Sequence, residues 1–377
     1  MPKKYHIEAH PVPNRFPTIG RSGIVDWGEG CLKCAECVKY QCIYNVYRDR
    51  FFSPSIMADT IDELCKNCFR CVQGCPKRLI HKTINPEWEA LGDDVYSPEV
   101  ISVNWNQAET GKIPVSGAGY GGPFAGHGFD SMWTDMSEIV RPTRDGIHGR
   151  EYISTVVDLG RRPSRLELDE SGRLLTQFPQ IIRIPIPIVF DLFPLGDLSP
   201  RVWRAAAMAA ATLRTLMIVP LQQARSLERF AEFLVPYLGT DSTRDLVWLG
   251  RFRMVEIPDS LDALETVSRL KSLRQDLLVS VRMSALSRAE QIQRVLELNR
   301  AGVDVIHYVA DERGYEPGVE NGLHIRYVIR EVHAALLREG LRDEITLVSS
   351  GGLAMAEHVI KAMLCGANLV GIDVPLL

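Results

Sequence analysis

From residue 184 onward, apolar and polar positions alternate between two rhythms. Short apolar runs recur at 184–190 (IPIPIVF), 216–220 (LMIVP), 245–249 (DLVWL), 254–258 (MVEIP), 277–283 (LLVSVRM), 303–309 (VDVIHYV), 345–350 (ITLVSS) and 368–373 (NLVGID). Between them, helical patterns cover 199–214, 225–238, 260–274, 287–301, 322–339 and 354–365. Continuous apolar runs suit strands covered on both faces. Eight strands alternating with helices predict an α/β fold, a (β/α)8 barrel of the TIM type. An open doubly wound sheet is the competing architecture. The third and fourth runs leave almost no room for a helix between them. The pattern stops after the eighth strand without an eighth helix. The barrel is therefore expected to be incomplete or degenerate, capped by another chain or continued past Leu377.

The first half of the chain lacks this alternation. Residues 1–30 are a lead-in rich in Pro and Gly, and residues 31–90 hold nearly all the cysteines. Within them, Ile43 to Pro54 is rich in Tyr, Val and Phe and reads as a strand pair. Asp59 to Leu64 reads as a helix start, capped by Asp59 or Thr60. Residues 91–183 form a connector. Gly117, Gly119 and Gly122 satisfy G-x-G-x-x-G, but Pro123 and further glycines follow, so no helix opens and a loop is expected. A polar run (Asp130, Trp133, Asp135, Glu138, Arg141, Arg144, Asp145, His148, Arg150, Glu151) reads as a salt-bridged connector. The last segment, 184–377, is the barrel.

The cysteines carry the clearest chemistry. Cys31, Cys34, Cys37 and Cys42 form a C-x2-C-x2-C-x4-C run. Cys65, Cys68, Cys71 and Cys75 form a C-x2-C-x2-C-x3-C run with Pro76 directly after, the bacterial ferredoxin spacing for a [4Fe–4S] cluster. Three thiolates at this interval wrap three corners of a cube, and the fourth must come from elsewhere. In two-cluster ferredoxins the fourth Cys of each run serves the other cluster. Cys31, Cys34 and Cys37 are accordingly paired with Cys75, and Cys65, Cys68 and Cys71 with Cys42. Zinc sites use two C-x2-C hooks without a third Cys at the same interval. Disulfide frameworks belong to small secreted chains. The first run departs from the pattern by one extra residue, with Ile43 in place of Pro.

Composition adds bounds rather than detail. A chain of 377 residues suits about two or three domains. A net charge of −4 argues against a nucleic-acid binder. No apolar run is long enough to form a transmembrane segment, and Met1-Pro2-Lys3-Lys4 opens no secretory signal. A cytoplasmic protein is expected. Cys365, the ninth cysteine, sits in an apolar helix and reads as a core thiol.

Ser350, Gly351 and Gly352 end the seventh apolar run, and Gly371 lies in the eighth. Loops after strands 7 and 8 of such barrels often hold a phosphate, and an FMN phosphate suits this place. The cysteine runs, together with ITLVSSGG…HVIKAMLCGANLVG over 345–371, resemble the FMN-binding glutamate synthase family in its short microbial form. That form joins a ferredoxin-like module to a flavin barrel. Arg282 in VSVRM stands where the family usually has Lys. The resemblance implies two [4Fe–4S] clusters, FMN held near Ser350, Gly351, Gly352, Gly371 and Arg282, and a redox partner protein or subunit within a larger complex. Several family loops are replaced: Gly-Ala-Met-Ser-Phe-Gly after strand 1 by FDLFPLGDLSP, Asn-Thr-Gly-Glu-Gly-Gly after strand 2 by LQQARS, the long loop after strand 4 by IPDSLDALE, and Gly-Gly-Thr-Gly after strand 6 by ADERGYEPG. The chain opens without the N-terminal Cys that glutamine hydrolysis uses.

Three functions follow. The first is an iron–sulfur electron-transfer subunit serving a flavin-type barrel or partner. The second is an FMN-dependent, glutamate synthase-like enzyme reducing a 2-imino acid, with Arg282 and Arg251 as cationic candidates. The third is a non-redox scaffold with structural clusters. Loops carry function more than fold does, which favours the first.

Overall fold

The computed structural model describes residues 19–25, 30–110 except 57, 59, 62 and 63, 126–132, and 155–377 except 164, 177, 197, 240–245 and 288. Gly117, Gly119 and Gly122, the polar run from Trp133 to Glu151, and part of the helix start at 59–64 lie outside these residues. Contacts divide the chain into two compact units, residues 6–125 and residues 126–377 with the first five.

In the cysteine-bearing unit, β1 (Ser22–Val25) pairs antiparallel with β2 (His81–Ile84), so that Ile24 lies opposite Lys82. Both cysteine runs fall between these strands. The first run contains a six-residue π-helix, Glu36–Gln41, and the second contains α1 (Arg70–Gln73). α2 (Pro86–Glu89) and α3 (Pro98–Thr110) follow. The Asn85 side chain caps α2, and the Trp88 indole donates to Ser102 at 2.7 Å.

The strand pair expected over 43–54 is not formed. These residues make turns and a short 3-10 helix, Arg48–Arg50. Asn45, Phe51 and Phe52 have φ of 60°, 48° and 54°. Left-handed residues at these points cannot continue an extended ladder. Val46 and Tyr47, adjacent in sequence, are both buried beside Val38. Local cluster packing has overridden the β propensity of the segment.

The barrel unit begins with an antiparallel pair, β3 (Val157–Gly160) and β4 (Ile181–Ile184). The run expected as one strand over 184–190 is therefore two. Pro185 and Pro187 lack the N–H a ladder needs, so the chain leaves β4 and restarts as β5 (Ile188–Phe190). Then come α4 (Pro200–Leu213), β6 (Met217–Pro220), α5 (Leu221–Ser226), β7 (Leu234–Tyr237), α6 (Leu246–Leu249), β8 (Met254–Pro258), α7 (Ala263–Leu273), β9 (Leu278–Ser284), α8 (Ala289–Arg300), β10 (Val305–Val309), α9 (Ile325–Arg338), β11 (Thr346–Ser350), α10 (Ala356–Leu364) and β12 (Leu369–Ile372).

One exchange separates this order from the pattern read in sequence. The third barrel strand is LVPY, not DLVWL, and LVWL is the short helix α6. The helix expected over 225–238 is cut at residue 233. A four-residue strand containing Pro236 carries little β signal, because Pro donates no ladder bond. The correction also restores a helix between the third and fourth strands.

β5 to β12 are parallel and close into an eight-stranded barrel, with β12 pairing back on β5 from Val370–Ile188 to Ile372–Phe190. The barrel is closed, so the open doubly wound sheet does not apply. Its floor is plugged by the β3–β4 pair. Val157, Leu159, Ile182 and Ile184 pack on inward-facing Ile218, Val235, Met254, Leu278, Val305, Val348 and Leu369. The Thr346 hydroxyl accepts from Gly160 N at 3.0 Å and donates to Gly160 O at 2.9 Å, tying plug to strand. Helices α4 and α7 to α10 bury their apolar faces against the outside of the strands. Among the described residues, no helix is long and apolar enough to cross a membrane.

Two thiol cavities and a charged barrel mouth

The eight cysteines of the two runs line two cavities, four to each. Cys31, Cys34, Cys37 and Cys75 face one, with Leu32, Ala35, Pro54, Pro76, Leu79 and Ile80 around them. Cys42, Cys65, Cys68 and Cys71 face the other, with Tyr44, Val46, Tyr47 and Lys82. Each cavity thus takes three thiols from one run and the last thiol of the other.

The backbone repeats between the runs. Lys33 and Asn67, each two residues after the first Cys, have φ of 53° and 52°. Ala35 and Phe69, four residues after it, have φ of 62° and 58°. Asn45 and Arg78, three residues after the fourth Cys, have φ of 60° and 54°. Left-handed residues in such turns direct successive backbone N–H groups into one concavity, where they favour anionic sulfur. Lys33 N and Leu79 N each donate to a thiol, those of Cys31 and Cys75, at 3.4 Å. The extra residue of the first run lies within the π-helix, whose wider turn absorbs one insertion. Cys42 therefore leaves its turn as Cys75 leaves the turn of α1.

The spacing of the sulfurs can be set against what each metal requires. Four thiolates on one zinc lie about 3.8 Å apart, given a Zn–S bond of about 2.3 Å. Among the described residues, no three of these sulfurs approach within 4.8 Å of one another. A larger body carrying several irons fits this spread. Burial pushes the Cys37 thiol up to about 11, and the nearby Cys75 and Cys31 add to it. Burial likewise raises Cys71, against hydrogen bonding from Tyr47 and the charge of Lys82.

The second constellation lies inside the barrel. Alternate residues of a strand point inward. Above the apolar floor, the next inward positions are Glu256 on β8, Ser280 and Arg282 on β9, His307 on β10, Ser350 on β11 and Gly371 on β12, with Asp191 just past β5. Arg282 donates to Asp191 through both terminal nitrogens, at 2.6 and 3.2 Å, and to Glu256 at 3.2 Å. His307 Nδ1 lies 2.9 Å from Glu256, and its Nε2 lies 2.7 Å from the Ser350 hydroxyl. Ser280 donates to Glu256 at 2.9 Å.

Burial alone would raise Asp191, but Arg282 and His307 outweigh it and hold the carboxyl at about 2. Glu256 is likewise lowered against its burial, by His307 and Arg282. Asp191, Glu256 and His307 bring ligand atoms within 4.8 Å of one another. The guanidinium of Arg282 already supplies the cation there.

The residues assigned to a flavin fall into two sets. Ser350 and Gly371 belong to the internal network. A Cβ on Gly371 would lie 2.1 Å from the Ser350 hydroxyl and 3.3 Å from Asp191, so glycine makes room for that network. Gly351 and Gly352 form the turn after β11, with φ of 96° and 67°. A Cβ on Gly351 would meet Asp311 O at 2.6 Å, because the loop after β10 crosses directly behind it. Arg282 leaves 17% of its side chain exposed toward the mouth. Among the described residues its Nε makes no hydrogen bond. A bare backbone turn plus one open guanidinium edge fits the phosphate and ring edge of FMN. Arg251, in contrast, precedes β8 at the floor end and pairs with Glu228. Cys365 caps α10, half-buried, 3.8 Å from the Met132 sulfur.

Four of the network's members went unread in sequence: Asp191, Glu256, Ser280 and His307. A signal was present. Glu256 and His307 each interrupt an otherwise apolar strand, and a polar residue inside such a run is more informative than an exposed apolar one.

The conserved region of glutamate synthase matches residues 251–377. The archaeal-type glutamate synthase (NADPH) of Dehalococcoides mccartyi is 24% identical over 91% of this chain and 77% of its own length. The chain is thus similar to glutamate synthases, over its last third by the family region and over nine-tenths of its length by distant relatives. The archaeal glutamate synthase (NADPH) of Archaeoglobus fulgidus is 25% identical over 92% of the chain and 77% of its length. That of Methanocaldococcus jannaschii is 24% identical over 98% and 79%. Among solved structures, mandelate oxidase superposes with a TM-score of 0.39 at 17% identity, covering 59% of this chain and 74% of the oxidase. QR15, an aldolase, gives 0.40 at 16%, covering 50% and 91%. The loop after the first barrel strand supplies Asp191, which pairs with Arg282.

Proposed function

We propose that this chain is a glutamate synthase-like oxidoreductase in which two [4Fe–4S] clusters serve reductive chemistry on a 2-imino acid in the barrel. The relationship to glutamate synthases over nine-tenths of the chain carries this reading. It favours an enzyme of that kind over a bare electron-transfer subunit. Cys31, Cys34, Cys37 and Cys75 would hold one cluster, and Cys42, Cys65, Cys68 and Cys71 the other. The backbone N–H groups of Lys33 and Leu79 already donate to Cys31 and Cys75. Gly351 and Gly352 would receive an FMN phosphate, with Arg282 at the ring edge and Ser350 and Gly371 supporting from below. When bound, FMN converts single electrons into two-electron reduction. Asp191 and Glu256 hold Arg282 in one orientation, and His307 links Glu256 to Ser350. Electrons come from a redox partner protein or subunit of a larger complex. Exposed Cys31, Cys34 and Cys68 suit a reducing cytoplasm.

The decisive experiment is composition followed by assay. Anaerobically purified protein should contain eight irons, eight sulfides and one FMN per chain. Supplied with reduced ferredoxin, ammonium and 2-oxoglutarate, it should form glutamate. Full iron and flavin without glutamate would return the chain to electron transfer alone. That second reading is favoured by one observation: the two carboxylates bound to Arg282 offset the charge an anionic flavin or substrate would use.

A further inference from the structure

The two thiol cavities differ in the charge that touches their sulfurs. Around Cys31, Cys34, Cys37 and Cys75, the charged liners are Glu36 and Lys77, which offset each other. The hydrogen bonds to sulfur there come from neutral backbone, at 3.4 Å. Around Cys42, Cys65, Cys68 and Cys71, the charged liners are Lys66 and Lys82, both cationic. The Lys82 ammonium contacts Cys65 Sγ at 2.5 Å and is held by Asn67 Oδ1 at 3.2 Å. It sits on β2, anchored by pairing with β1, and lies over the Phe69 ring at 5.5 Å. The buried Tyr47 side chain lines the same cavity as Cys71.

Net charge and hydrogen bonds to sulfur set cluster potentials, because the reduced state carries one more negative charge. A cation on a ligand sulfur stabilises that state directly. Greater solvent access at Cys31 and Cys34 acts in the opposite sense. A full charge in contact with the ligand shell outweighs a difference in solvation at its edge.

We infer that Lys82, assisted by Tyr47, makes the site of Cys42, Cys65, Cys68 and Cys71 the higher-potential of the two and so sets the direction of electron flow toward it. One electron leaves the site of Cys31, Cys34, Cys37 and Cys75 and arrives at the second, with no bond made or broken. A one-electron donor protein refills the first. This rests on the dicluster reading above. Lys82 is a positioning and tuning residue: it ligates nothing, and acts through Cys65.

The test is a dithionite redox titration of the whole chain, followed by paramagnetic resonance. The wild type should show two separate midpoints. Lys82→Met should lower the upper midpoint and leave the lower one in place, with eight irons retained. Lys82→Arg should restore the upper midpoint. Tyr47→Phe should move the same midpoint by less, and it provides a check should Lys82→Met lose iron. If Lys82→Met or Tyr47→Phe moves the lower midpoint, or neither moves any, the assignment is overturned with the clusters intact. A wild type without eight irons, or silent after dithionite, instead removes the dicluster reading itself.

Discussion

Arg282 stands between two buried carboxylates, and its removal would leave Asp191 and Glu256 with only His307 as a partner between them. Breaking a buried ion pair by deleting one partner costs about 3–5 kcal/mol. Arg282→Met should therefore lower the barrel's thermal midpoint by several degrees, and Asp191→Asn added to it should recover part of the loss. A double variant no better than the single one would separate Arg282 from Asp191. His324 gives a pH signature. It caps α9, with its Nδ1 accepting from Arg326 N. Burial lowers its imidazole to about 4, from 6.5, and Arg326 and His358 add to the shift. The unfolded chain binds the proton first, so His324 contributes stability that is full above about pH 6.5 and is lost as the pH falls toward 4. His324→Asn keeps a capping side chain and removes the titration. Its melting temperature should change less than that of the wild type between pH 7 and pH 4.

At the level of elements, the π-helix makes a sharp prediction. If Glu36–Gln41 exists to absorb one inserted residue, deleting exposed Lys39 gives the first run the C-x3-C spacing of the second. That variant should retain eight irons, and loss of half the iron would refute the account of the insertion. The turn after β11 is equally specific. Gly351→Ala would force a Cβ to within 2.6 Å of the Asp311 carbonyl at a φ that side chains avoid. It should reduce flavin content and thermal stability together. Most barrel helices were legible from apolar periodicity, because a helix packed on a sheet must keep its stripe. The helix expected over 260–274 is Ala263–Leu273, and that over 322–339 is Ile325–Arg338. β7 was not legible: its four residues include Pro236, and its strand character comes from pairing with Met217 to Pro220.

Across the whole molecule, the two units differ in what holds them. The barrel unit has an extensive core inside and outside its strands. The cysteine-bearing unit centres on Val38, Val46 and Tyr47, with Cys37, Cys42 and Cys65 packed against them. So small a cluster rarely holds the turns around it without a metal or another staple. Iron removal by chelator under reducing conditions should unfold residues 31–82, read as rapid hydrogen exchange there. Exchange across β5–β12 should remain slow. Uniform protection in both halves after iron loss would show that the clusters add no stability.

The sequence by itself picked out the eight thiols that the structure gathers into two cavities, and their interval is what suggests a cubane cluster. It determined the barrel too, since parallel strands covered on both faces must read as unbroken apolar runs. Only the tertiary structure decided what fills the barrel. Asp191, Glu256, Arg282 and His307 lie on different strands, and no local spacing relates them. Closure of the sheet brings them to one height, where each charge must find its partner because water is excluded. The same holds for the floor: β3 and β4 read as connector and strand start, and only a closed barrel presents the apolar opening they seal.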